Sequence, residues 1–408
     1  MLLHLSFYLY AFTIPLESLN ISLDLGPISI ARFSGLMVIA FSMVNVRRSY
    51  SKPTLHLWFF LLYLVFYVAR GLFIPSDFTS AATTGLFTIV QLLVFFWIAS
   101  NLLQDETFSK RVLLAYSTGA AFMTAAAMLG VPGFSHAELI NFQGSRTTAV
   151  GANPNYLAAV LGLAAVILAG MILNKRIRGF VKIGLILMIT VILGMIIQTG
   201  SRSGLIGLIL GMTCYVWPSG LTRRKLVPIA LVICAFVSCG YLLLHDPDFM
   251  VRLSSTISTG DTSGRDVIYA SGLSMVYERP LLGWGPVAYQ SELAVRTREG
   301  FAMRDSHNLL LHLLLEGGLL GTLIFVTALA LCARSAWKSR GGALGIMIPA
   351  LVVTLFIELQ AATWMTTKPL WLVLALCVGA EKGVQATRLA ASRRTDQRGQ
   401  NFARFYSV

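Results

Sequence analysis

A histidine, two arginines and a pair of glycines hold the chemistry that this sequence offers. His307 stands in the run Asp305-Ser306-His307-Asn308. An imidazole titrates near neutral pH and serves as a general base or as a phosphate partner. On a helix begun at His307, Gly318 and Gly321 would fall about three and four turns below it, on the same face. Glycines so placed leave a shallow groove, which a neighbouring helix or a lipid chain can approach closely. The same spacing also describes an interfacial histidine over an ordinary packing seam. His312 and Glu316, one helical turn apart, share another face. A buried pair that orients helix packing fits them better than catalysis.

Arg202 lies in Thr199-Gly200-Ser201-Arg202-Ser203-Gly204. The guanidinium fork matches phosphate oxygens bidentately, and the flanking glycines and serines expose backbone N–H groups. The alternative is a snorkelling arginine that anchors a helix end. Arg265 follows Thr262-Ser263-Gly264, and Ser263 and Asp266 have capping-box spacing. The pattern predicts a helix from Gly264 to Arg279, stopped by Pro280 and lying along a membrane surface with Val267, Ile268, Leu273 and Val276 as apolar positions. Arg265 in its first turn would be a phosphate ligand at the positive end of the helix dipole, or an exposed loop arginine paired with Asp266. Arg146, ahead of the turn Asn153-Pro154-Asn155, is either a third anion ligand or a solvated residue. Trp284, in Leu282-Gly283-Trp284-Gly285-Pro286, would stack on a sugar or pack in a loop core. Arg70, Asn155 and Lys368 complete the candidates near the same membrane edge.

The elements that position these residues follow from composition. Of 408 residues, 56% are hydrophobic and 12% charged, against roughly 25% charged in soluble domains. Soluble enzymes, disordered chains and disulfide scaffolds are excluded; an all-α polytopic membrane protein remains. Apolar runs, each long enough for a spanning helix, predict twelve segments near 2–16, 28–46, 56–75, 82–103, 112–130, 153–173, 180–200, 203–218, 226–245, 306–333, 343–364 and 367–382. Most of the 32 Lys and Arg residues fall on one side, in clusters such as Arg47-Arg48, Arg223-Arg224-Lys225 and the segment after Lys382. That side is expected to be cytoplasmic and to hold both termini. In a soluble protein the net charge of +14 would suggest nucleic acid; here the basic loops account for it and no nucleic-acid partner is expected. The expected organisation is 1–245 for the first nine helices and 246–305 for one large outer loop with short amphipathic helices. Helices then resume over 306–382, and 383–408 forms a basic cytoplasmic tail, frayed or facing lipid headgroups. No cleavable signal peptide is expected, because the first apolar run lacks a basic leader and a cleavage site. The five cysteines fall in apolar stretches without metal-ligand spacing. No P-loop, His-Glu-x-x-His or Cys-x-x-Cys occurs, so no metal and no cofactor is expected. A transferase without a nucleotide site would draw on a lipid-linked donor that carries its own leaving group.

Over residues 144–330 the chain resembles the O-antigen ligase family, the WaaL ligases and the related Wzy polymerases. The most specific match is His307-Asn308, nine spacers, then Gly318-Leu319-Leu320-Gly321. Supporting matches are Ser201-Arg202-Ser203-Gly204, Ser263-Gly264-Arg265, Pro280-Leu281-Leu282-Gly283-Trp284-Gly285 and Asn153-Pro154-Asn155. The resemblance implies twelve spans and one large periplasmic loop, in a membrane glycosyltransferase of the GT-C type. It further implies metal-independent, inverting transfer of an O-antigen glycan from undecaprenyl pyrophosphate to lipid A-core, at the periplasmic face of a Gram-negative inner membrane. Arg202 and Arg265 would hold the pyrophosphate, with Arg146 less securely carried over, and His307 would activate the acceptor hydroxyl or assist at the pyrophosphate. A Wzy-type polymerase, a protein O-oligosaccharyltransferase and, from another class, a lipid-linked glycan transporter are the alternatives. Polymerases pair two sizeable loops with an arginine-to-glycine spacing that Arg265 and Val276 do not reproduce. A transporter would want more midplane charge than Glu358 and Glu316 provide.

Overall fold

The computed structural model describes the chain except for residues 24–25, 52, 140–144, 174–176, 217–239, 241–249, 251–253, 255–263, 299–301, 343 and 406–408. The described chain is helical apart from two antiparallel two-stranded hairpins, β1 (Asn20–Leu23) with β2 (Gly26–Ser29) and β3 (Ser135–Leu139) with β4 (Ser145–Ala149). Backbone polar groups find no partner in lipid, so a spanning chain must bond to itself within each helix. Threonine hydroxyls follow the same rule: Thr118, Thr124, Thr190 and Thr354 each donate to the carbonyl one turn earlier.

The membrane part runs α1 (Leu2–Thr13), α2 (Ile30–Ser42), the short α3 (Val46–Ser49), α4 (Leu55–Gly71), α5 (Thr79–Leu102), α6 (Glu106–Met128), α7 (Pro154–Ile172), α8 (Gly179–Thr199) and α9 (Arg202–Thr213). Two loop helices, α10 (Arg265–Glu278) and α11 (Ala288–Thr297), precede α12 (Leu309–Ser339), α13 (Met347–Leu359) and α14 (Lys368–Phe405). Among the described residues, six helices are long and apolar enough to cross a membrane, and four shorter apolar helices join them. Every expected segment except 226–245 has a helix at its place; that segment, and most of 246–263, lie outside the described residues. The tail differs from expectation, because the helix begun at Lys368 continues through the basic segment to Phe405.

Helix α7 is the centre, with every residue from Leu157 to Leu168 buried. Its start is set by sequence: Asn153 caps it by accepting from the amides of Asn155 and Tyr156, and Pro154 fills the first turn. Helix α9 packs on α7 and α13 through its glycines. A Cβ at Gly204 would meet Ala158 at 2.5 Å, and one at Gly207 would meet Glu358 Oε1 at 2.6 Å. The loop helices rest on the N-terminal end of α12 around a small apolar core that includes Ile268, Met275, Tyr289, Leu293, Leu311 and Leu315.

Candidate functional site

His307 does not open a helix. It lies ahead of the α12 cap, Asn308, whose side chain accepts from the Leu311 amide. Its backbone φ is +51°, a left-handed conformation that costs a residue with a Cβ roughly 1–2 kcal/mol. Gly318 then breaks α12, with φ +59° and ψ −162°. The expected single face carrying His307, Gly318 and Gly321 is therefore corrected twice, by the late start and by the break. The groove is also filled. A Cβ at Gly318 would meet the backbone of Leu281 and Leu282 at 2.4–2.5 Å, and one at Gly321 would meet the Phe66 ring at 2.7 Å.

What fills it at Gly318 is the turn that carries Trp284. The break frees peptide groups, and residues 280–285 take them up. Leu319 and Leu320 donate to Pro280 and Leu281, at 2.8 and 3.2 Å; Trp284 and Gly285 donate to Leu315 and Glu316, at 2.7 and 2.9 Å. Interrupted backbone at membrane depth is tolerated only where protein satisfies it. Arg70, from α4, donates to the carbonyls of Leu282 and Gly283 at 3.0 and 3.2 Å. Its guanidinium thus holds the turn. Trp284 packs as well: its indole N–H donates to Met275 O, and the Arg279 guanidinium lies 4.0 Å over its ring.

Arg265 and His307 meet at the connection after α13. Helix α10 begins at Arg265, close to the predicted boundary, but its cap is Gly264 at φ +76° without a side-chain bond. Ser263 lies outside the described residues. Of the predicted apolar positions, Ile268 is buried while Val267 and Leu273 are exposed. Arg265 Nη2 donates to Ala361 O at 3.2 Å, and the Asn308 amide donates to Gln360 O at 3.3 Å. Thr363 donates to Asp305 Oδ1 at 2.7 Å, and Asp305 Oδ2 lies 3.7 Å from His307 Nδ1. The imidazole remains about one-third exposed. Asp305, Gln360 and Thr363 were not singled out from sequence. Asp305 stands in the very run that flags His307, and a carboxylate beside a histidine was the available signal.

Arg202 is the first residue of α9, after the left-handed Gly200 and the cap Ser201, whose hydroxyl accepts from the Gly204 amide. It is half-buried. Helices α9 and α13 are antiparallel, since Gly207 faces Glu358 and Gly211 faces Ala350. Arg202 therefore stands about 7 Å above Gly207, at the end where Gln360 and Ala361 leave α13. Asn155, at the start of α7, stands at this end too. Arg146 is in β4, opposite Glu138 in register, and β4 adjoins α7 and α8. Arg202, Arg265, Asn155 and His307 thus share one end of the bundle.

His312 and Glu316 form the buried link expected of them. Tyr289 and His312 Nδ1 are 2.5 Å apart, His312 Nε2 lies 3.6 Å from Glu316, and Tyr63 donates to Glu316 at 2.8 Å. Loop helix α11 is so tied to α12 and α4. Burial pushes the Tyr289 hydroxyl well above its ordinary value, so it stays a neutral partner. On the exposed side Arg296 holds Glu278 at 2.5 and 2.7 Å. Those bonds lower the Glu278 carboxyl below the usual range.

Residues 187–326 match the O-antigen ligase family model. The matched stretch holds Arg202, Arg265, the 280–285 turn, His307 and the Gly318 break. A curated O-antigen ligase of Pseudomonas aeruginosa PAO1 is 30% identical over 190 residues, which cover 47% of this chain and 39% of that protein. The chain thus resembles O-antigen ligases through its middle, over well under half of that relative's length. The similarity points to a glycosyltransferase-type enzyme, and the apolar helices to a membrane protein.

Proposed function

We propose that this protein is an O-antigen ligase. It transfers O-antigen polysaccharide from undecaprenyl pyrophosphate to lipid A-core, at the periplasmic face of a Gram-negative inner membrane, with both termini in the cytoplasm. The observation that carries this reading is His307: an imidazole about one-third exposed, on left-handed backbone beside Asp305, whose neighbours Asp305 and Asn308 bond to the connection after α13 that Arg265 also grips. Strained backbone that its surroundings over-determine concentrates at functional sites.

In this reading His307 takes the proton of the acceptor hydroxyl as it attacks the anomeric carbon from the face opposite the leaving group. Asp305 steadies the imidazolium that forms, and Thr363 fixes Asp305. The bond from the anomeric carbon to the pyrophosphate oxygen breaks, and negative charge grows on the diphosphate. Arg202 and Arg265, each at a helix N-terminus, stabilise that charge. Arg265 gives one N–H to Ala361 and keeps others for phosphate. In this reading Arg70 and Trp284 build the turn, and Asn155 and Arg146 belong to the rim where the glycan passes.

The deciding experiment incubates the purified protein with a lipid-linked glycan and rough lipopolysaccharide. Transfer to the core is the expected outcome. Lengthening of the lipid-linked glycan would instead make the protein a polymerase.

A further inference from the structure

A second polar site lies on the other side of the 360–368 connection. A cavity of about 380 Å³ opens between α2 and α5, with the end of α1 and the starts of α7 and α14 behind it. Small residues line it: Ala31 and Gly35 on one wall, Thr84, Gly85 and Thr88 on the other. Its top is charged. Lys368, buried at 8% exposure, pairs with Glu17, which also accepts from the Tyr156 hydroxyl at 3.0 Å. Arg32 faces the same space and forms no ion pair among the described residues. Further down the lining turns largely apolar, with Leu36, Ile39, Leu92 and Phe95. Phe33 and Leu36 on α2, and Phe87 and Val90 on α5, are exposed. Large exposed apolar side chains on membrane helices face lipid, so the opening is lateral.

We propose that this cavity binds one monoanionic phosphodiester lipid from the outer leaflet, its phosphate on Arg32 and Lys368 and one chain descending between α2 and α5. Charge selects this occupant. Among the described lining residues, two cations and one carboxylate leave a single net positive charge, which one phosphodiester neutralises. A zwitterionic headgroup would bring a second cation beside Arg32, and a diphosphate would leave charge uncompensated at the membrane edge. The gradient of the lining, charged above and apolar below, matches an amphiphile and not a soluble anion. None of these residues lies in the matched stretch or contributes to the His307 corner, so the site stands apart from the proposed transfer.

The test is native mass spectrometry of the full-length protein in neutral detergent, with phosphatidylglycerol against phosphatidylcholine of identical chains. The expected result is about tenfold preferential retention of phosphatidylglycerol, the scale of one charge-assisted contact. R32Q should fall to parity and R32K should keep the preference. T88F, which fills the channel and removes no charge, should also lose it. R340Q, which removes an exposed cation from the opposite face, should change nothing. Equal retention of both lipids by the unaltered protein would overturn the proposal, as would an undiminished preference in R32Q or an equal loss in R340Q. Binding of glycerophosphoglycerol, the same phosphodiester without acyl chains, as tight as that of the lipid would overturn the membrane part of it.

Discussion

Two outer corners of this molecule, separated by residues 360–368, are built by opposite means. The His307 corner is closed by backbone. A broken helix and a loop turn exchange peptide hydrogen bonds, and the Arg265 guanidinium at the start of α10 ties on the connection after α13. The Arg32 corner is open, a cavity between two helices lined by small residues with charges at its top. The first arrangement suits chemistry, which needs groups fixed to a fraction of an ångström before reaction. The second suits reversible occupancy by a ligand that supplies its own apolar mass.

Mutations should affect the two corners independently. The largest effect expected is on catalysis: His307→Ala should lower glycan transfer about a hundredfold to ten-thousandfold, the range of a lost general base. Thermal unfolding and phosphatidylglycerol retention should stay as they were. Full transfer by H307A in the purified assay would remove His307 from the mechanism. Next comes Gly318→Ala, which adds a Cβ against the Leu281 backbone at a left-handed position. A loss of roughly 3 kcal/mol is expected, seen as a large fall in the unfolding temperature in detergent. A normal melting profile would show that the turn does not depend on the break.

Arg70→Gln should cost about 1–2 kcal/mol, because two carbonyls of the turn lose a charged donor. Its signature is faster amide exchange or proteolysis at 280–285 with the transmembrane helices unchanged. If R70Q keeps that turn protected and weakens donor binding alone, Arg70 is a ligand residue and its structural assignment falls. The smallest effect concerns acid. Glu278 has a folded-state pKa below its unfolded value, so its contribution is complete above the unfolded pKa and is lost as pH falls through the folded one. The exposed Arg296 contact should therefore weaken slightly as pH falls through and below the ordinary glutamate range, and Glu278→Gln should abolish that dependence. Melting curves across the interval test it, and identical acid sensitivity in E278Q would refute the link.

Much of this was legible in the sequence, for identifiable reasons. Hydropathy found the helices because lipid penalises every alternative. Pro280 and the apolar spacing gave α10 to within a residue of its ends. The Gly318 break was not legible as such. Its glycine spacing reads equally as a groove for a neighbour, and only the docked turn shows that the vacant space belongs to Leu281 and Leu282. Asp305 was missed because its value depends on Thr363, which is close in space and far along the chain. The Glu17 and Lys368 pair joins the first and last membrane helices, a separation that no local pattern spans.

Because the 280–285 turn completes the hydrogen bonding of an interrupted helix, the two should be exchangeable only as a unit. A chimera that exchanged residues 264–298 between relatives and kept a continuous helix at 318 would strand four peptide groups at the membrane edge. Recombination, natural or engineered, should therefore succeed only where its crossover points enclose both pieces.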